Sequence, residues 1–188
     1  MSGLMRALVG LALPVALTAC AINVHDHGAA AKGEHEMHGK LSALASLSPV
    51  AGGSVIGSVM FHDMGDHLMV HAQVRGLEPG SEHGFHVHEK GSCASADFTS
   101  AGGHFNPDAK AHGNAAGEHH AGDIPNLKAD AQGIVDQKFM LHGVTLSAGD
   151  LSIVGRALIL HASPDDYKTQ PTGNSGPRIG CGVIASHG

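Results

Sequence analysis

The segment Gly84-Phe85-His86-Val87-His88-Glu89 places two imidazoles at positions i and i+2. Side chains alternate along a β-strand, so His86 and His88 share one surface while Phe85 and Val87 point the other way. Neutral imidazole is a common ligand for copper and zinc, and such a strand can grip one ion. Two solvated histidines on an edge strand fit the same pattern. His104, His112, His119, His120 and Asp123 lie in residues 89–123, a stretch without hydrophobic periodicity. A loop that long in a compact domain needs something to order it. Three imidazoles with one carboxylate make a closed tetrahedral set of the kind structural zinc takes. His161 ends the apolar run Ala157-Leu158-Ile159-Leu160 and can join His86 and His88 if their strands are neighbours.

Groups of this kind must be held by a rigid scaffold. The chain has 188 residues, 42% hydrophobic and 3% aromatic, with 27 Gly and no Trp, which predicts one all-β domain with many turns. Alternation of apolar and polar residues predicts strands over 54–62 and 67–74, with Leu68, Val70, Ala72 and Val74 inward and His62, His67 and His71 on the solvent face. Further strands are expected over 134–139, 151–154, 157–161 and 179–184, and a second polar loop over 162–177. Histidine, at 17 residues, is the compositional outlier, and packing does not explain so many polar rings.

Residues 1–19 carry one Arg6 and a short apolar run ending Leu17-Thr18-Ala19-Cys20, which looks like a bacterial lipoprotein signal with its lipobox. An ordinary secretory leader, with Cys20 incidental, is the alternative; both imply export, and the lipoprotein reading gives a periplasmic protein held to a membrane only through a lipid on Cys20. Residues 20–40 read as a His-rich tether without hydrophobic periodicity, either a metal collector or a solvated linker. Removal of residues 1–19 takes away one cation, moving the net charge from −6 to −7, which argues against nucleic acid as a partner. With Cys20 acylated, Cys93 and Cys181 remain, either paired as export favours or as two buried thiols.

Four motifs taken in order, Gly84-Phe85-His86-Val87-His88-Glu89, Gly103-His104-Phe105-Asn106-Pro107, His120-Ala121-Gly122-Asp123 and Gly180-Cys181-Gly182-Val183-Ile184, resemble the copper/zinc superoxide dismutases, in particular their exported bacterial branch. The resemblance covers about residues 41–186 and gives residues 41–188 as the dismutase domain. It implies an eight-stranded Greek-key β-barrel, sandwich-like, with two long loops over an external metal site. It further implies one copper per subunit on His86, His88, His104 and His161, and one zinc on His104, His112, His120 and Asp123, so that His104 bridges both. Asp165 matches the carboxylate linking ligands of the two metals, Cys93 and Cys181 match a disulfide, and Arg178 matches an arginine beside the copper; Arg178 and His104 are the catalytic candidates. His119 is left without a role. The implied reaction is dismutation of superoxide anion to oxygen and hydrogen peroxide. Monomer and homodimer both remain open. Two rivals are a periplasmic copper or zinc buffering protein and a plain β-sandwich adhesion module.

Overall fold

The computed structural model describes residues 41–188; the leader, Cys20 and the tether lie outside the described residues. Eight strands follow one another: β1 (Ser42–Pro49), β2 (Ile56–Asp63), β3 (Leu68–Arg75), β4 (Glu82–His88), β5 (Asp123–Lys128), β6 (Val135–Leu141), β7 (Ala157–His161) and β8 (Arg178–Ser186). All pair antiparallel, in the spatial order β5-β4-β7-β8-β1-β2-β3-β6. The chain leaves β3 to build β4 and β5 on the far side, returns to lay β6 against β3, and crosses again to β7. This is a Greek-key path wrapped into a nearly closed barrel.

The alternation that identifies β3 in the sequence is the alternation in the fold: Leu68, Val70, Ala72 and Val74 are buried, and Met69, His71, Gln73 and Arg75 are not. With Val59, Phe61, Phe85, Val87, Ile124, Leu127, Leu158, Leu160 and Ile184 they fill the barrel interior. Strand β4 departs from this pattern, because every residue from His83 to His88 is buried. Phe85 and Val87 face the core, whereas His86 and His88, each with no exposed surface, lie on the outer side beneath the loops.

Three elements differ from the sequence expectation. Strand β1 was not expected, because its Ser and Ala residues weaken the apolar alternation. Strand β5 was not expected either, since Pro125 reads as a breaker; at the end of the strand order its missing N–H costs no ladder bond. The strand expected over 151–154 is absent. Only Ser152 makes an isolated bridge, to Thr145, and Ile153 is fully buried as a plug in the core, which explains its apolar character without a ladder.

The long loop after β4 has its own supports. Glu89 N donates to Gly103 O, Lys90 N to Ala101 O and Phe105 N to Val87 O, and His88 bridges His104. A single 3₁₀ turn, Thr99–Ala101, sits within it. Cys93 and Cys181 form a disulfide with a Cα–Cα distance of 5.8 Å, closing 88 residues of chain. Such a closure stabilises by about 4 to 5 kcal/mol in the chain-entropy account. Phe98, Ala101, Ala157, Ile159 and Cys181 make a second small core under the loop.

Candidate metal centre

Two sets of four ligand atoms converge on the outer side of β4 and β7: His86, His88, His104 and His161, and His104, His112, His120 and Asp123, with the atoms of each set within 4.8 Å of one another. All seven residues are buried, and His104 belongs to both sets. Strand β4 supplies His86 and His88, and β7, paired with β4 at His86 and Ile159, supplies His161. The loop after β4 supplies His104, His112 and His120, and Asp123 opens β5.

Four of the rings are oriented by a bond from one nitrogen, which leaves the other as a lone-pair donor. His88 Nδ1 donates to Gly102 O at 2.9 Å, and His161 Nδ1 to Gly176 O at 3.1 Å. His86 Nε2 donates to Asp165 Oδ2 at 2.8 Å, and His112 Nε2 to Asp165 Oδ1 at 2.9 Å. His104 Nδ1 stands 2.8 Å from Asp123 Oδ1, and both residues belong to the second set. The nitrogens without any hydrogen-bond partner are His86 Nδ1, His88 Nε2, His104 Nε2, His112 Nδ1 and His161 Nε2. A buried polar atom without a partner is costly, and here four of the five belong to residues of a single set. That arrangement fits a bound cation.

Several donor atoms of the second set stand close to the separation in a tetrahedral zinc site, about 3.3 Å for bonds of about 2.0 to 2.1 Å. His120 Nδ1 is 3.4 Å from His104 Nδ1 and 3.4 Å from Asp123 Oδ1, and His112 Nδ1 is 3.0 Å from Asp123 Oδ2 without hydrogen-bond geometry. Both sets therefore fit metal ions.

Electrostatics favour the same outcome. Burial pushes His86 down to about 4, His88 to about 2 and His161 to about 3, which keeps these rings neutral and able to bind. Burial lowers His120 as well. Burial alone would raise Asp123, but bonds from His104, Gly113 N and His120 N outweigh it and hold the carboxyl well below its usual range.

Asp165, with no exposed side-chain surface, joins one ring of each set. Arg178 opens β8 opposite His161; its guanidinium donates to Phe98 O and Gly102 O, both at 2.6 Å, and its charge helps to lower His88 and His161. It therefore lies beside the first set and also ties down the loop that orients His88. His119 stays outside both sets, its Nδ1 donating to His120 O.

Several supporting residues carry no signal in the sequence. Asn126 grips Asp165 on both backbone atoms, accepting from its N and donating to its O, both at 3.0 Å. Gln170 does the same for His112. His83 Nδ1 donates to His161 O. Gly173 lies so close that a Cβ there would stand 1.8 Å from Asp165 Oδ1, and its φ of +66° suits glycine. Apart from the Gly173 contact, these join residues tens of positions apart, and nothing in their local sequence pattern announces them.

The family model for copper/zinc superoxide dismutase (SODC) matches residues 55–184. The chain is 43% identical over 138 residues to the copper-zinc superoxide dismutase 2 of Aquifex aeolicus, covering 70% of this chain and 80% of that protein. It is 45% identical over 138 residues to the superoxide dismutase-like protein YojM of Bacillus subtilis, covering 70% of each. Against the extracellular copper-zinc superoxide dismutase of Drosophila melanogaster it is 41% identical over 139 residues, 69% of this chain and 75% of that one. Among solved structures, a double mutant of a SOD-like protein from Bacillus subtilis superposes with a TM-score of 0.69 at 44% identity, covering 76% of this chain and 96% of the other. With the barrel, the disulfide and both ligand sets in place, the chain belongs to the copper/zinc superoxide dismutase family of oxidoreductases, whose cofactors are copper and zinc.

Proposed function

We propose that this protein dismutates superoxide to oxygen and hydrogen peroxide, with one copper per subunit held by His86, His88, His104 and His161 and one zinc held by His104, His112, His120 and Asp123. The observation that carries this reading is His104, whose partnerless Nε2 belongs to the all-imidazole set while its Nδ1 faces Asp123 in the other. The carboxylate-containing, closed set suits zinc, and the four imidazoles suit copper. When bound, copper supplies one-electron redox chemistry and zinc a fixed positive charge.

The residues of the chain do the rest. His104 Nε2, when not ligating the copper, would take up one proton and give it to the departing peroxide, whose second proton would come from water, while Nδ1 would keep the ring anchored on the zinc side. Asp165 fixes the rings of His86 and His112 together, so the two sets cannot drift apart. Arg178 spends two N–H bonds on loop carbonyls and keeps the others for an anion beside His88 and His161. In a chain of net negative charge, this local cation draws superoxide inward.

We further assign residues 1–19 as a lipoprotein signal, Cys20 as the lipidated residue, 20–40 as a tether and 41–188 as the dismutase domain, in a periplasmic protein of the exported bacterial type. The disulfide supports an oxidising compartment, and one relative is named extracellular. The decisive experiment is metal analysis of purified protein together with a superoxide-consumption assay. One copper and one zinc per chain with catalytic consumption is expected; both metals bound without consumption would leave a metal-buffering protein.

A further inference from the structure

Methionine is ordinarily filler for irregular gaps in a core. Here Met60, Met64, Met69 and Met140 are the methionines among the described residues, and none of them is buried. All four stand on β2, β3, β6 or the hairpin joining β2 to β3. Met140 is 56% exposed and Met64 42%, and no packing role explains either.

Their placement relative to histidine is specific. Strand register aligns His62 with Met69 and Met69 with Met140, one row across three adjacent strands. Leu68 and Leu141 are paired and point into the core, so the residues flanking them, His67 and Met69 on one side and Met140 and His142 on the other, point outward. The rings of His67 and His142 lie with centroids 5.5 Å apart, and Met64 N donates to His67 O, which brings the hairpin methionine to the same end of the face. Opposed Cβ atoms on antiparallel strands stand about 4.5 to 5.5 Å apart, and thioether side chains are long and flexible. The register thus lets the two sulfurs of Met69 and Met140 reach a common point, with His62 aligned on one side and His142 two residues beyond Met140 on the other.

We propose that this face binds a cuprous ion, with Met69 and Met140 as thioether ligands and a flanking imidazole, His62 or His142, as the third. Soft thioether donors select Cu(I), while imidazole accepts it and the absence of carboxylates from the aligned row disfavours hard cations. None of β2, β3 and β6 carries a residue of the metal centre, whose members stand on β4, β5, β7 and the loop after β4, so this ion is distinct from those of the metal centre. The site is open to solvent, which suits an ion that is picked up and released rather than held for catalysis.

The test uses the full chain loaded with its copper and zinc, titrated anaerobically with Cu(I) against a chromogenic Cu(I) chelator. One further equivalent is expected, with sulfur scatterers in its X-ray absorption spectrum. The Met69→Leu/Met140→Leu double variant should lose that equivalent and its sulfur signal while keeping the resident metals and the unfolding temperature, since Leu for Met conserves volume. Absence of an extra equivalent in the native protein would overturn the proposal. So would its undiminished retention in the double variant, which would assign the ion to histidines elsewhere, such as those of residues 20–40.

Discussion

On the outer face of β3, His67 and His71 each sit beside an exposed aspartate, His67 Nδ1 2.7 Å from Asp66 and His71 Nε2 2.6 Å from Asp136. Beneath the loops on the other side of the barrel, His86 and His112 sit 2.8 and 2.9 Å from the two oxygens of Asp165. The imidazole–carboxylate contact is nearly the same length in both regions. What differs is the second nitrogen of each ring. Under the loops it is buried without a partner and belongs to a set of four donors; on the open face no such set is found among the imidazoles and carboxylates of the described residues. A histidine–aspartate pair thus orients a ring in either place, and only burial plus convergence turns the ring into a ligand of the metal centre.

The most severe way to break this contrast is His104→Ala. One side chain serves both sets, so dismutation should be abolished and zinc retention should fall, read by superoxide consumption and metal analysis of the same sample. Normal retention of both metals with activity lost would argue that His104 does not join them.

Asp165→Asn comes next. It keeps the shape but removes the charge that holds two rings, and loss of such an orienting partner weakens metal affinity or activity about 10- to 100-fold. Competition against a zinc chelator measures it. Asp136→Asn, the corresponding change at the open face, should leave zinc affinity unaltered.

Of the two regions, the open face was the more legible in the sequence. Alternation over β2 and β3 named their buried and exposed residues, because those strands have one wet side and one dry side. Strand β4 is dry on both sides, so alternation could say only that His86 and His88 share a face, and the motif resemblance had to supply their partners. The grouping of His104, His112, His120 and Asp123 was readable as ligands without scaffold. The clamps made by Asn126 and Gln170 were not readable, since each closes over 39 or 58 residues and uses residue types common in any loop.

Acid should distinguish the regions through stability of the metal-stripped protein. His86, His88 and His161 have folded values of about 4, 2 and 3, below the unfolded value of 6.5, so the unfolded chain binds more protons in that window. Stability should therefore fall as pH drops from about 6.5 towards those values. Asp123 and Asp165, both held low, add a further loss as pH falls below the ordinary carboxylate range. Chemical denaturation between pH 7 and 4 measures the slope, and a flat profile would contradict the buried, neutral state of these rings.

The smallest effect is expected for His71→Ala. Its polar partner among the described residues is an exposed aspartate, and surface changes of this kind stay within about 0.5 kcal/mol. Thermal unfolding and dismutation should both match the native protein.

The sharing of His104 between two ions is best tested by loading Cu(II) into both sets and recording the electron paramagnetic resonance spectrum. A common imidazole ring joining the two ions would couple their spins, so the spectrum should lack the signals of two isolated Cu(II) centres at full occupancy. Two independent, uncoupled Cu(II) signals in protein carrying both ions would contradict the shared histidine on which this account of the centre depends.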